Sequence, residues 1–230
     1  MSPRWNHIWL NEGFASYFEF IGIETIYKKD FVWQHFYYWD KEFLMRQDVG
    51  LRINEKATVP VQSEIVTNSD IWPLFGWMSY ERGACMLHML RSMLGDEAFF
   101  SSITSYFTEN AYSNVVSRDL WKHLEEPAKK SGVLSKANLT IQSMMEMWVN
   151  ISGYPEVNVV TDFEKNIVTV YQYRPYWHWG EDELNSWRWT EEAATLWPLW
   201  LSFTIWGSDS GKYTPFLSGG KLLFSELEKK

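Results

Sequence analysis

The stretch Trp9-Leu10-Asn11-Glu12-Gly13-Phe14-Ala15-Ser16-Tyr17 sets one acidic side chain among large apolar neighbours. Apolar groups recur at Ile8, Phe14, Phe18, Ile21 and Ile26 with charges between them, which predicts a helix over residues 8–27. A carboxylate near a helix N-terminus is stabilised by the macrodipole, by roughly 0.3–1 kcal/mol when exposed. That alone would account for Glu12. Beside Trp9, Leu10 and Phe14, however, a buried carboxylate needs a cation, a metal or a proton. Glu19 lies two turns on, so the buried face is expected to carry two acids. Spacing by itself leaves their partner open.

Outward from this stretch the first two thirds of the chain read as helical. Asp30 is expected to cap a second helix through Phe31, Phe36, Tyr37, Phe43 and Leu44. Residues 49–74 hold no sustained period and contain Pro60 and Pro73, so they read as a long connecting loop. The helical period returns from Phe75 to Leu94, through Tyr80, Ala84, Leu87, Met89, Leu90 and Met93, and Gly95 ends it. Asp96 is expected to cap a helix carrying Phe99, Phe100, Ile103 and Phe107. Ser117 is expected to cap another, with Leu120, Trp121 and Leu124, that stops before Pro127. A polar linker over residues 129–136 then leads to a helix at 139–149, where Met144, Met145 and Met147 read as gap-filling core.

At Gly153-Tyr154-Pro155 the pattern changes. Val157–Val160 and Ile167–Tyr171 are β-branched or alternating and flank a polar turn at Glu164-Lys165-Asn166, the signature of a hairpin. Leu199–Trp206 and Lys221–Phe224 read as further strands. A block of helices followed by a block of strands predicts an α+β chain, with a helical domain over 1–153 and a β domain over 154–230.

Composition narrows the function classes. With 46% hydrophobic and 22% charged residues the chain is globular rather than disordered. The net charge of −8 comes without a basic stripe or tail, which argues against nucleic acid as a partner and suits cationic groups such as peptide α-amines. A single cysteine, Cys85, excludes an internal disulfide, and its apolar helical setting predicts a buried thiol. No signal peptide is visible after Met1, and the longest apolar run, Trp197–Trp206, is half the ~20 residues that span a bilayer. Asn138-Leu139-Thr140 and Asn150-Ile151-Ser152 are glycan acceptors if the chain enters the secretory pathway. Tyr176-Trp177-His178-Trp179 and Trp187-Arg188-Trp189 would suit a stacking platform, but are expected to line a long loop. There is no Gly-x-Ser-x-Gly elbow and no P-loop, so serine-hydrolase and nucleotide-binding readings lack support.

Read as a whole, Trp5-Asn6-His7-Ile8-Trp9-Leu10-Asn11-Glu12-Gly13-Phe14-Ala15-Ser16-Tyr17-Phe18-Glu19 closely resembles the aminopeptidase N (membrane alanyl aminopeptidase) family of zinc metallopeptidases. In that family two His of a His-Glu-x-x-His motif and a downstream Glu hold the zinc, and the matching Glu here is Glu12. Met78-Ser79-Tyr80-Glu81-Arg82-Gly83-Ala84 resembles the family's Tyr-x-Lys-Gly segment, with Arg82 in place of the Lys; the resemblance makes Tyr80 the stabiliser of the tetrahedral intermediate. Met147-Trp148 with Gly153-Tyr154-Pro155, and Trp197-Pro198-Leu199 with Phe203-Thr204, resemble the junction into, and a later strand of, the family's β-sandwich. The implied fold is the C-terminal helical half of a thermolysin-like catalytic domain followed by an antiparallel β-sandwich. The implied activity is zinc-dependent release of N-terminal residues from peptides, in a plasma-membrane ectodomain or extracellular enzyme.

The same resemblance exposes a gap. The chain contains neither a His-Glu-x-x-His motif nor the Gly-Ala-Met-Glu-Asn loop that the family uses to hold the substrate amine, and the family spacing would set the second His ahead of Met1. Its five His (His7, His35, His88, His123 and His178) form no i, i+4 pair. Catalytic zinc takes three protein ligands, so Glu12 with His7 or His35 would make at most a weak site. The expectation is a fragment that is inactive and aggregation-prone by itself, the rival being a catalytically dead short form that acts as a binding or decoy module.

Overall fold

The computed structural model describes residues 5–27, 31–41, 60–134, 137–165, 167–178, 186–190, 197–201, 216–217 and 221–224. A 3₁₀ turn at Trp5–His7 leads into α1, Trp9–Tyr27. Helix α2, Phe31–His35, runs on as a π-helical stretch to Lys41. Asp30 and residues 42–59 lie outside the described residues, so the predicted cap and the first part of the long loop do too. The remainder of that loop contains two 3₁₀ turns, Asn68–Asp70 and Trp72–Leu74. A π-helical turn at Met78–Arg82 opens into α3, Gly83–Leu94. Then follow α4, Asp96–Glu109, α5, Ser117–Ser131, and α6, Ile141–Asn150.

One core unites these helices. Trp9, Leu10, Phe14 and Tyr17 of α1 are buried with Leu87 and Leu90 of α3, Phe99 and Tyr106 of α4, Leu120, Trp121 and Leu124 of α5, and Met144 and Met145 of α6. Trp9 stacks on Trp121 at 5.7 Å and Tyr17 meets Phe99 edge-on at 6.1 Å, geometries that add to plain area burial. Met144 and Met145 fill core space, as their unbranched side chains suit.

Several helix ends depart from the sequence expectation. Asp96 is the first residue of α4 and does not cap it; its carboxylate instead takes both Nε and Nη2 of Arg91, at 2.8 and 2.9 Å. Gly95 stands at the junction with φ 83, a left-handed value that only glycine adopts cheaply. Ser117 is likewise inside its helix: Val116 precedes α5 and its N–H is satisfied by the Asp119 carboxylate at 2.9 Å. Helix α5 also continues through Pro127 to Ser131, because Leu124 and Ala128 on either side of the proline are fully buried. Tertiary packing outweighs the lost backbone hydrogen bond there. Predicted linker residues 129–131 are therefore helical.

Beyond Gly153, whose φ is 86, the chain turns to strands: β1, Glu156–Asp162, β2, Ile167–His178, β3, Ser186–Thr190, β4, Leu199–Trp200, β5, Phe216–Leu217, and β6, Lys221–Phe224. The long β2 is the organiser. It pairs antiparallel with β1 (Val159 opposite Val170), with β6 (Val170 opposite Leu222) and, through its second half, with β3 (Trp177 opposite Trp187). Strands β4 and β5 form a separate two-stranded antiparallel sheet. The β1–β2 turn is closed by Asp162, whose Oδ1 accepts the N–H groups of Glu164 and Lys165. Residues 176–178 and 187–189, expected in a long loop, pair instead as strands, in keeping with the strand preference of aromatic residues. Of the strand expected over 199–206, residues 199 and 200 are extended, and 202–206 lie outside the described residues together with Trp179.

The strands meet the helices through a second, smaller core. Val170, Trp197 and Leu199 are buried there against Met147, Trp148 and Ile151 from the end of α6. Gln172, itself buried, donates from Nε2 to the Trp197 carbonyl at 2.8 Å and accepts the Trp197 N–H at Oε1 at 2.7 Å. Among the described residues no helix is long and apolar enough to cross a membrane.

Candidate functional site

Glu12 sits in the first turn of α1 and Tyr80 in the π turn before α3, so what joins them is the crossing of those two helices. That crossing is made by two glycines. A Cβ on Gly13 would lie 2.8 Å from the Gly83 Cα, and a Cβ on Gly83 would lie 2.8 Å from the Gly13 Cα and 3.3 Å from the Trp9 carbonyl oxygen. The backbones touch there because neither residue carries a side chain. Each glycine directly follows or closely trails a chemistry-bearing residue, and their contact brings the Glu12 carboxylate against the Tyr80 hydroxyl.

Partial desolvation, then a hydrogen bond to Glu12 and the carboxylate's charge, hold the Tyr80 pKa above the ordinary phenol value. At neutral pH Tyr80 is therefore a protonated donor beside a half-buried acid. The π turn contributes to this placement. Its Arg82 N–H donates to the Trp77 carbonyl at 3.0 Å, and such wide turns recur at functional sites because they re-aim a side chain without ending a helix.

Arg82, in place of the family lysine, is buried at 4% exposure. Its Nη2 donates to the carbonyls of Trp148, at 3.1 Å, and Ile151, at 2.9 Å, at the C-terminal end of α6. Sequence alone marked Arg82 only as a departure from the motif; its fractional burial and carbonyl partners come from the fold.

Other sequence candidates fall elsewhere. Glu19 is exposed, so the buried face of α1 does not hold two acids: Tyr17 and not Glu19 points into the core. His7 Nδ1 lies 2.9 Å from Gln62 Oε1 and 3.0 Å from Ser117 Oγ, in a polar cluster that also takes the Trp9 indole N–H. That cluster ties α1 to α5 and lines a cavity of about 500 Å³ with Arg118, Glu146 and Asn150. His35 is exposed and lies against Phe20. Among the described residues no three His, Cys, Asp or Glu side chains converge where they could hold a metal ion. One carboxylate does not meet the ligand count of a zinc site, and the residues described do not by themselves fit the ion.

Cys85 is half-buried rather than buried, because its face of α3 looks onto an apolar cavity of about 390 Å³ shared with Phe36, His88, Trp148 and Trp200. Asn138 is exposed in the turn before α6, with φ 50, a left-handed value that asparagine tolerates. Asn150, also exposed, ends α6 and accepts from Gln62 Nε2 at 3.3 Å.

Known proteins resemble the greater part of this chain. The profile of the Peptidase family M1 domain matches residues 2–148, a span that includes both Glu12 and Tyr80. The thyrotropin-releasing hormone-degrading ectoenzyme of Homo sapiens is 31% identical over 179 residues, which is 75% of this chain and 16% of that protein. Aminopeptidase M1-B of Oryza sativa subsp. japonica is 33% identical over 159 residues, 69% of this chain and 16% of that protein. Aminopeptidase M1 of Arabidopsis thaliana is 30% identical over 155 residues, 67% of this chain and 16% of that protein. The chain thus covers about one sixth of the length of these relatives. On the extent of the family match, and with the Glu12–Tyr80 pair inside it, this chain belongs to peptidase family M1.

Proposed function

We propose that this chain carries one part of a zinc aminopeptidase site, that of an enzyme releasing N-terminal residues from peptides, and that the 230-residue chain by itself does not catalyse that reaction. The observation that carries the reading is the Glu12–Tyr80 pair at the Gly13/Gly83 crossing. Glu12 is the residue of this chain that would ligate zinc. Tyr80, protonated at neutral pH, would donate to the oxyanion that forms as the peptide carbonyl is attacked, an interaction of the kind worth about 2.7–4 kcal/mol. The helical part then represents the C-terminal half of a thermolysin-like catalytic domain, and the strands most of a β-sandwich. The ectoenzyme among the relatives supports an extracellular setting, in which Asn138 and Asn150 are glycan acceptors.

The absence of a His-Glu-x-x-His motif from the sequence supports inactivity of the chain alone. After dialysis, metal content by mass spectrometry should show no stoichiometric zinc, and a fluorogenic aminoacyl substrate should not turn over. Zinc in large excess should still perturb the Tyr80 ring resonances of the native chain but not those of Glu12→Gln. Stoichiometric zinc with turnover would overturn the proposed inactivity. A Tyr80 signal that ignores zinc, or responds equally in Glu12→Gln, would overturn the assignment of Glu12 as ligand.

A further inference from the structure

Glu12 fixes the tip of Tyr80, but the turn that carries Tyr80 needs an anchor of its own. A π turn holds one residue more than an α turn, and its relaxation would swing the residues before it around the helix axis by about 100° per residue. Tyr80 would then leave Glu12. The last residue of the turn is Arg82, and its guanidinium is where the turn is tied down.

The ties are specific. A buried guanidinium must find acceptors, and Arg82 finds the Trp148 and Ile151 carbonyls at 3.1 and 2.9 Å. Both belong to the last turn and cap of α6, where unpaired carbonyls carry the negative end of the helix dipole. From there the chain of contacts reaches the strands. The Trp148 indole N–H donates to the Pro198 carbonyl at 3.2 Å and its ring lies 6.3 Å from Trp197, which Gln172 of β2 grips from both backbone sides.

We propose that Arg82 is a positioning residue for Tyr80, and that through the carbonyls of Trp148 and Ile151 it ties the orientation of the Tyr80 turn to the end of α6 and to the strands beyond. This rests on the reading that Tyr80 works beside Glu12. Two kinds of group thus set Tyr80: a carboxylate on α1 that it faces, and a cation two residues on that anchors its turn. The arrangement makes the β region part of the site's support.

The test reads the surroundings of the Tyr80 ring in the intact chain at one fixed pH, by NMR of ¹³C-labelled tyrosine assigned with Tyr80→Phe. Glu12→Gln should shift the Tyr80 ring resonances. Arg82→Met should shift them as well, Arg82→Lys should leave them native, and Tyr17 and Tyr106, buried in the helical core, should not move in any variant. A cooperatively folded Arg82→Met chain with native Tyr80 resonances overturns the proposal, as does a shift that Arg82→Lys fails to restore. If Arg82→Met does not fold, Arg82→Gln decides by the same readout. Failure of Glu12→Gln to move Tyr80 would instead sink the Glu12–Tyr80 pairing itself, whatever Arg82 does.

Discussion

At the scale of single residues, charge is placed where it can be answered. Arg91 lies over the rings of Trp33 and Phe100, at 5.5 and 5.0 Å, while its fork grips Asp96. The hydrogen bond from Arg91 holds the Asp96 pKa below its ordinary 3.8. A carboxylate whose folded pKa is depressed stabilises the fold at pH above the unfolded value. That contribution disappears as pH falls from 3.8 through the folded pKa. Thermal melts between pH 5 and 2 should therefore fall less steeply for Asp96→Asn than for the native chain. Because the Asp96 side chain is largely exposed, the difference should be small and should shrink in high salt. Sequence marked Asp96 as a cap, since it cannot reveal that Arg91, one helix earlier, reaches the same carboxylate. Periodicity also left Glu19 on the buried face beside Glu12: the motif singled out Glu12, but only the packed neighbours show that Glu19 is exposed.

At the scale of elements, the crossing of α1 and α3 decides the site. Gly13→Ala would drive a Cβ to 2.8 Å of the Gly83 backbone, and backbone cannot rotate aside as a side chain does. Overpacking of this kind costs about 1–3 kcal/mol, and urea denaturation should show it. Gly22, on the same helix, meets nothing within 4 Å, so Gly22→Ala should stabilise by about 0.5–1 kcal/mol through helix propensity. If Gly13→Ala behaved like Gly22→Ala, the close crossing would be refuted. The helices themselves were legible from periodicity: α1, α4 and α6 lie close to their expected spans, and α3 fills the later part of the one expected from Phe75 to Leu94, after the π turn. Their ends were less so. Continuation of α5 through Pro127 depends on Ala128 being buried, a fact of packing rather than of local preference.

At the scale of the whole molecule, two cores of unequal size are joined at the end of α6. Gln172 is central to the smaller one, since it answers both backbone groups of buried Trp197. Gln172→Leu should keep the side-chain volume but remove those partners, at about 1–3 kcal/mol for a buried polar group left without its bond. Chemical denaturation measures that loss, and a variant as stable as the native chain would show that the Gln172 grip is dispensable.

What the sequence by itself determined is the order of helices then strands, the change of pattern at Gly153, and the identity of Glu12 and Tyr80 as the residues of interest. Each follows from local physics, 3.6-residue or two-residue periodicity and turn chemistry, or from a long and unusual motif. Only the tertiary structure decided that Glu12 and Tyr80 meet, that paired glycines allow it, and that Arg82 reaches carbonyls some seventy positions away. The reason is that those relations are contacts between distant segments. Sequence states which side chains are available; close packing selects which of them touch.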